Sequence, residues 1–320
     1  MDVKIKVVIV PAEHEGGNLF FVITTLKLIR YRVYLIDTPE IVIYSTQNMK
    51  IKIRDFSIGR GYPLVFIAGP CVIESHEGCL QLAEKLKAIF QPRKIPFVFK
   101  ASFDKANRTS VHSYRGPGIK EGIKILADIK RRLDVPVLSD VHDAEDVPFI
   151  AETLDIIQIP AFLCRQTDLI LAAARTDKPV NVKKGQFLAP WDMKSVVEKI
   201  RSTGNEQILL TERGASFGYN NLVSDMRSLV IMRELGYPVI YDATHSIQLP
   251  GGQGNVSGGE RKMIIPLARA AVAAGCDGLF LEVHENPEQA LSDAATMLPL
   301  NNLPCLVDQV LEIHRIVSCE

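Results

Sequence analysis

The feature that most constrains the fold of this 320-residue chain is a strand–helix rhythm that repeats eight times from Leu64 onward. In each repeat, a short apolar and β-branched run is followed by a polar turn and then by a segment with helical periodicity. Runs that are apolar almost throughout are typical of parallel strands buried on both faces. The eight runs span residues 64–70, 96–102, 136–142, 156–162, 179–184, 208–214, 238–246 and 278–284.

Eight such units over about 250 residues predict an α/β fold of the closed (β/α)8 type, the TIM barrel, rather than an open doubly wound sheet. No GxGxxG motif follows any predicted strand, which also argues against a dinucleotide-binding sheet. Residues 50–66 are predicted to form two strands around a turn at Gly59-Arg60-Gly61. We expect this β-hairpin to cover the bottom of the barrel.

Residues 1–48 do not join the repeat. They contain strand-like stretches at 3–10 and 31–36, and they lack the order of basic, apolar and small residues that marks a signal peptide. We interpret them as an extension and expect the natural protein to begin at Met49, so that residues 49–320 form a single catalytic domain. A genuine appendage of unknown role is the alternative.

Composition narrows the classes of partner. The formal net charge is zero, which gives no general reason to bind nucleic acid or an anionic membrane. No apolar run reaches the roughly 18 residues that a membrane-spanning helix needs. The six cysteines are scattered and form no CxxC pair, which suits a reducing compartment. We therefore expect a protein of a reducing compartment that meets any anionic substrate with local charges.

Cationic residues follow three of the predicted strands. In a (β/α)8 barrel, the chemistry lies at the C-terminal ends of the strands. Converging Lys and Arg side chains there favour a substrate with phosphate or carboxylate groups, because each contact is a charge-assisted hydrogen bond. We interpret Lys178 and Lys184, in contrast, as solvated surface residues. The cationic group consists of Lys100, Lys105, Arg108, Lys183 and Arg213.

A second group combines a thiol, an imidazole and two carboxylates. Cys71, His245 and Glu282 end the first, seventh and eighth predicted strands, and Asp293 follows the eighth. The first and eighth strands become neighbours when the barrel closes. Such a donor set suits Zn²⁺, Fe²⁺ or Mn²⁺ better than Mg²⁺ or Ca²⁺. The alternative is that Cys71 is only a small buried apolar residue.

Eight ordered motifs between Met49 and the C-terminus closely resemble the 3-deoxy-D-manno-octulosonate 8-phosphate synthase family. The resemblance implies a transferase that forms a C–C bond by an aldol-type reaction. Its substrates would be phosphoenolpyruvate, D-arabinose 5-phosphate and water, and its product would enter lipopolysaccharide (KDO) biosynthesis. The motifs are IAGPCVIES, KASFDKANRTS, SDVH, IIQIPAFLCRQTDL, VNVKKGQFLAPWDM, TERGASFGYNNLVSDMRSL, YDATHSIQLPGG and ALSDAATMLPL.

The resemblance also implies a metal site. Members of that family with a cysteine at the position of Cys71 depend on a metal, whereas members with asparagine there work without one. One divalent ion per subunit is therefore expected, either Zn²⁺, Fe²⁺ or Mn²⁺. The implied ligands are Cys71, His245, Glu282 and Asp293.

Substrate contacts follow from the same resemblance. Phosphoenolpyruvate is expected to contact Lys105, Lys183 and Arg213, with Gln158 nearby. Gln248 is also expected to bind substrate. The sugar is expected to contact Lys100, Ser102, Asn107 and Asp140, and its phosphate Arg108 and Thr109. The family draws the last two residues from a neighbouring subunit, which implies a homo-oligomer, a tetramer by resemblance. The residues expected to act in catalysis are Lys105, Asn107, Asp140 and His245.

Two alternatives remain at this point. The related 3-deoxy-D-arabino-heptulosonate 7-phosphate synthases use erythrose 4-phosphate, but they show a KPRTS-type sequence where this chain has KANRTS at 105–110. A catalytically silent barrel that serves only as a binding protein is the other. The completeness of both groups of residues argues against it.

Overall fold

The structure is a computed structural model, and it describes residues 31–33, 43–45, 49–108, 110–251 and 258–318. The chain divides into two compact units, Met1–Gln47 and Asn48–Glu320. In the first unit, the strands Tyr31–Val33 and Ile43–Ser45 pair antiparallel. The strand-like stretch at 3–10 lies outside the described residues. The start at Met49 stays a prediction.

Eight parallel strands within residues 49–318 as described form a closed barrel. Each strand pairs with the next one along the chain, and β8 pairs with both β7 and β1. Every strand lies inside the run predicted for it, so the (β/α)8 prediction is confirmed. The strands are β1 (Val65–Gly69), β2 (Phe97–Lys100), β3 (Val137–Asp140), β4 (Ile156–Ile159), β5 (Val180–Lys183), β6 (Ile208–Glu212), β7 (Val239–Asp242) and β8 (Gly278–His284).

Helices connect the strands and cover the barrel. Their apolar faces pack on the outside of the sheet. Helix α1 begins after Ser75, whose hydroxyl caps the helix by accepting the backbone N–H of Gly78 at 3.1 Å. Among the described residues, no helix is both long enough and apolar enough to cross a membrane. The helices are α1 (His76–Phe90), α2 (Ile119–Leu133), α3 (Val147–Ala151), α4 (Thr167–Ala174), α5 (Met193–Arg201), α6 (Arg227–Arg233), α7 (Ile264–Ala273) and α8 (Leu303–Val317).

A short β-hairpin closes the end of the barrel where the strands begin. Its strands, Ile51–Ile53 and Phe56–Ile58, pair antiparallel. The side chains of Ile51, Ile53 and Ile58 pack against the apolar residues that fill the barrel interior, including those of β1 and β8. The predicted covering of the barrel bottom is thus confirmed.

The predicted position of the hairpin turn is wrong. The turn lies at Arg54-Asp55, and Arg54 adopts a left-handed backbone conformation with φ +50°. Gly59 and Gly61, with φ of +147° and +81°, instead bend the chain between the hairpin and β1. A glycine pair tolerates such angles without a Cβ clash, which is why it resembled a hairpin turn in the sequence.

Glycine at position 69 brings the first two strands together at the functional end of the barrel. A Cβ on Gly69 would collide with the backbone of Lys100 at the end of β2. Only glycine therefore lets β1 end so close to β2. The chain then continues to Cys71, whose carbonyl oxygen accepts a hydrogen bond from Lys100 Nζ at 2.8 Å.

Candidate active site

A cavity of about 730 Å³ opens at the C-terminal ends of the strands. It collects most of the predicted site residues, although these are widely separated in sequence. Cys71 and Ser102 are buried and do not line it, and Thr109 lies outside the described residues. The predicted residues that line the cavity are Lys100, Lys105, Asn107, Arg108, Asp140, Gln158, Lys183, Arg213, His245, Gln248, Glu282 and Asp293.

A thiol and two carboxylates meet at one side of this cavity. Cys71, Glu282 and Asp293 each offer a ligand atom, and these atoms lie within 4.8 Å of one another. Cys71 follows β1, Glu282 lies in β8, and Asp293 lies in the connection after β8. The Cys71 thiol donates to Asp293 Oδ2 at 3.3 Å. These three residues could hold a metal ion.

His245 faces this group without belonging to its closest set. Its Nε2 lies 3.5 Å from Glu282 Oε2 and 3.9 Å from Asp293 Oδ2. On the opposite side of the ring, Nδ1 lies 2.8 Å from Oδ2 of the buried Asp242. When Nδ1 carries the proton and donates to Asp242, the lone pair of Nε2 points toward the two carboxylates, which is the arrangement of a metal-binding histidine.

Glu282 provides the test of whether a cation fits. Its Oε1 accepts a hydrogen bond from Lys100 Nζ at 2.6 Å, and Lys105 Nζ lies 3.6 Å away. Its Oε2 is buried and has no hydrogen-bond partner in the described part of the chain. Burial raises the pKa of Glu282, but His245, Lys100 and Lys105 outweigh it and hold that pKa well below its usual range. An ionised oxygen without a partner beside a thiol and a second carboxylate fits a bound cation.

The Cys71 thiol has a neighbour that sequence reasoning missed. Ser292 Oγ lies 2.9 Å from Cys71 Sγ, and both side chains are buried. Burial, followed by the charges of Asp293 and Glu282, raises the pKa of Cys71 well above its usual value. A bound cation would favour the thiolate form, because metal ligation requires the deprotonated sulfur. Ser292 lies in the motif ALSDAATMLPL directly before Asp293, which is the sequence signal that could have identified it.

Two of the predicted cations lie deep in the cavity. Lys183 Nζ donates to Asp242 Oδ2 at 2.5 Å and lies 3.6 Å from the centre of the Phe280 ring. Arg213 Nη2 donates to Gln248 Oε1 at 2.9 Å. Burial lowers the pKa of both cations, and Asp242 opposes the shift in each case. An anionic ligand would bring further compensating charge to this part of the cavity.

Lys105 lies nearer the thiol and carboxylates. Its side chain is 11% exposed, and its Nζ approaches Glu282 Oε1. Burial lowers the pKa of Lys105, but Cys71, Glu282 and Asp140 outweigh burial and raise it well above its usual value. Lys105 therefore stays charged between the two groups of residues.

Asp140 organises another wall of the cavity. Its Oδ1 accepts the Ser102 hydroxyl at 2.5 Å, and its Oδ2 lies 3.0 Å from His142 Nε2. Ser102, which was predicted to line the sugar site, is fully buried against Asp140, and its contact with the sugar stays a prediction. Burial raises the pKa of Asp140, but His142, Lys105 and Lys100 together outweigh this effect and hold that pKa well below its usual range. His142 lines the cavity and was not predicted as a site residue.

A chain of hydrogen bonds orients the side-chain amide of Gln158. Gln158 Oε1 accepts a hydrogen bond from Asn181 Nδ2 at 3.1 Å, and Asn181 Oδ1 accepts the Thr211 hydroxyl at 2.6 Å. These three side chains come from β4, β5 and β6 in turn. The alternation of the strands places them on the inner surface of the barrel.

Arg108 lines the cavity of the same chain. Its Nη1 lies 3.5 Å from Asp293 Oδ1, and its Nε donates to the Tyr114 carbonyl oxygen at 3.2 Å. The predicted contribution of this residue to a neighbouring subunit stays a prediction.

The interpretation of Lys184 as a solvated residue is wrong. Its side chain is only 1% exposed, and it faces Glu212. The position after β5 explains the difference, because consecutive residues point to opposite sides of the strand and both sides are covered in a barrel.

A closed (β/α)8 barrel with buried cations and a candidate metal group at its C-terminal mouth defines a barrel enzyme suited to small anionic substrates. Residues 41–317 match the model of the DAHP synthetase I family. The chain belongs to this family.

Curated relatives match most of the chain. A protein of Geobacter metallireducens is 61% identical over 269 residues, which cover 84% of this chain and 99% of the relative. A protein of Geobacter sulfurreducens is 59% identical with the same coverage. A protein of Trichlorobacter lovleyi is 58% identical over 84% of this chain and 98% of the relative. All three are named 2-dehydro-3-deoxyphosphooctonate aldolase.

Proposed function

We propose that this chain is a 3-deoxy-8-phosphooctulonate synthase, which condenses phosphoenolpyruvate with D-arabinose 5-phosphate and water and releases inorganic phosphate. The observation that carries the proposal is the meeting of two groups in one cavity: the cations Lys105, Lys183 and Arg213, and the set Cys71, Glu282 and Asp293. The high identity to 2-dehydro-3-deoxyphosphooctonate aldolases over nearly their full length supports the same activity.

Lys183 and Arg213 bind the phosphate and carboxylate of phosphoenolpyruvate. Both are almost fully buried, so an anion between them loses its water shell and gains charge-assisted hydrogen bonds. Gln158 and Gln248 add neutral amides at the same wall. Holding the two reactants in place can lower the barrier by roughly 7–11 kcal/mol, which matters most for two substrates that repel each other.

The sugar binds toward the other wall. Asp140 is held by Ser102 and His142, so its carboxylate is oriented before the sugar arrives. Asn107 and Arg108 line the outer part of the cavity, where the 5-phosphate of the sugar would lie. In this orientation the aldehyde end of the sugar would point inward, toward Lys105.

The reaction joins C3 of the enol to the aldehyde carbon. The aldehyde oxygen takes a proton, water adds at C2, and phosphate leaves by cleavage of the C–O bond. The Lys105 ammonium lies beside Glu282, close to the thiol and carboxylate set, where it can donate to the aldehyde oxygen. Asp242 holds the Nδ1 proton of His245, which leaves Nε2 directed at Glu282 and Asp293.

Cys71, Glu282, Asp293 and His245 would hold one divalent ion per subunit. When bound, it supplies a Lewis acid for an aldehyde oxygen or a water molecule. A sulfur, a nitrogen and carboxylate oxygens together favour Zn²⁺, Fe²⁺ or Mn²⁺. The protein is further proposed to be cytoplasmic and to form a homo-oligomer, a tetramer by resemblance.

The test is a phosphate-release assay of the full chain, carried out without oxygen, with phosphoenolpyruvate and either arabinose 5-phosphate or erythrose 4-phosphate. We expect turnover with arabinose 5-phosphate, loss of turnover with dipicolinate, and recovery with Mn²⁺ or Zn²⁺. A preference for erythrose 4-phosphate would favour the heptulosonate reaction. Full activity after complete removal of metal would refute the metal assignment.

A further inference from the structure

Lys184 and Glu212 form a buried ion pair behind the cavity. Lys184 Nζ lies 3.4 Å from Glu212 Oε1, and the side chains are 1% and 2% exposed. Neither side chain lines the cavity. A buried ion pair is a weak source of stability, because the loss of hydration of both charges offsets their attraction. Its place directly behind the cations of the site points to a different role.

Lys184 joins the loops that follow two neighbouring strands. The preceding residue, Lys183, extends into the cavity, while Lys184 points to the opposite side of the strand. There its ammonium donates to the carbonyl oxygens of Leu188 at 3.2 Å and Gly214 at 3.4 Å. One side chain thereby links the loop after β5 to the first residues after β6.

Glu212 fixes the turn that directs Arg213 into the cavity. Its Oε1 accepts the backbone N–H of Arg213 at 3.0 Å and that of Gly214 at 2.6 Å. Gly214 has φ +87°, so the chain turns sharply at this point. Burial raises the pKa of Glu212, while the Lys184 ammonium and these N–H groups oppose the shift. The carboxylate and the ammonium thus depend on each other.

We infer that the Lys184–Glu212 pair is a positioning device that sets the separation and direction of Lys183 and Arg213 for one anion, phosphoenolpyruvate. The inference rests on the proposed function of the cavity. Each cation is the direct sequence neighbour of one member of the pair, so a shift of the pair moves both cations. Asp140, on the aldose side, ends β3 and is reached by neither residue's hydrogen bonds. The pair therefore acts on one substrate and not on the other.

The test compares Lys184→Met, Glu212→Gln and the double variant with the wild-type chain. The matched control is Glu121→Gln/Lys124→Met, because this pair on α2 lies 3.7 Å apart with side chains 59% and 76% exposed. We expect Lys184→Met to raise the KM for phosphoenolpyruvate about tenfold or more, with the KM for arabinose 5-phosphate changed by less than about twofold. The control pair should behave like the wild type in both constants.

Two variants separate positioning from folding. Glu212→Gln keeps an oxygen that can accept the N–H groups of Arg213 and Gly214, so we expect a smaller rise in the KM for phosphoenolpyruvate. The double variant leaves no unpaired buried charge, and it provides the measurement if Lys184→Met fails to fold. Unchanged KM for phosphoenolpyruvate in the folded variants would overturn the inference. An equal rise for both substrates would do so as well.

Direct binding distinguishes this inference from the proposed function. Trp191 is the single tryptophan of the chain and lies in the loop tied by Lys184; its fluorescence can be titrated with phosphoenolpyruvate alone, with calorimetry as a second method. If the wild type binds phosphoenolpyruvate but turns over neither aldose, the proposed function fails, and weaker binding by the variants still supports the pair. A wild-type chain that does not bind phosphoenolpyruvate refutes both.

Discussion

Single side chains decide whether the site holds a metal. Cys71 is buried next to Glu282 and Asp293, and its thiol contacts Ser292 Oγ and Asp293 Oδ2. Its replacement therefore separates a ligand from a small apolar residue.

We expect Cys71→Ala to lose the bound metal and to lower the rate of phosphate release about a hundredfold or more, since it removes a ligand rather than a supporting contact. Cys71→Asn is expected to retain some activity without metal. Metal content is measured by elemental analysis of the purified protein. Cys305→Ala, at an exposed cysteine, is the control. Wild-type metal content in Cys71→Ala would exclude the sulfur as a ligand.

Asp242 acts on the site through two other residues. It accepts hydrogen bonds from both His245 Nδ1 and Lys183 Nζ, and burial raises its pKa less than these two neighbours lower it. Asp242→Asn should weaken metal binding about 10- to 100-fold, because the histidine loses the acceptor that orients it. Competition with a chelator measures this affinity. Asp143→Asn, an exposed residue outside the cavity, should leave it unchanged.

The hairpin beneath the barrel belongs to the core of the fold. Ile53 is 2% exposed and packs with the barrel interior, whereas the adjacent Lys52 is exposed. Ile53→Ala should lower the free energy of unfolding by about 2–5 kcal/mol, the cost of deleting a buried aliphatic side chain. Lys52→Ala on the same strand should change it by less than about 0.5 kcal/mol. Urea denaturation measures both. Equal stability of the two variants would show that the hairpin does not complete the core.

Helix α8 is expected to make stability depend on pH. Burial lowers the pKa of His314 in this helix, so below its usual value of about 6.5 the unfolded chain binds more protons than the folded one. This contribution to stability is present above pH 6.5 or so and is lost as the pH falls below it. His314→Gln should flatten the dependence of Tm on pH between about 7.5 and 5.5. His112→Gln, at an exposed position, should keep the wild-type slope.

Elements that follow from periodicity were predictable from the sequence, and those that depend on local geometry were not. All eight barrel strands lie within their predicted runs, because parallel buried strands leave a continuous apolar signal. The turn at Arg54-Asp55 carried no glycine, so the neighbouring Gly59-Arg60-Gly61 was preferred in its place.

The molecule as a whole explains why the site was only partly predictable. Strand ends are visible in sequence, so Cys71, Lys183 and Glu282 could be named. Supporting residues such as Asp242 and His142 also end strands, but their partners are set by contacts between strands. The burial of a side chain at a strand end is equally hard to read from the sequence, which is why the prediction of a solvated Lys184 is wrong.

The isoleucine hairpin also determines the route by which ligands enter and leave the cavity. Because Ile51, Ile53 and Ile58 fill the lower end of the barrel, the cavity opens to solvent at the C-terminal ends of the strands. Both organic substrates must enter, and both products must leave, through the same opening. The ligand that binds deepest, against Lys183, should therefore bind first. A ligand bound above it must dissociate before the deeper one can leave.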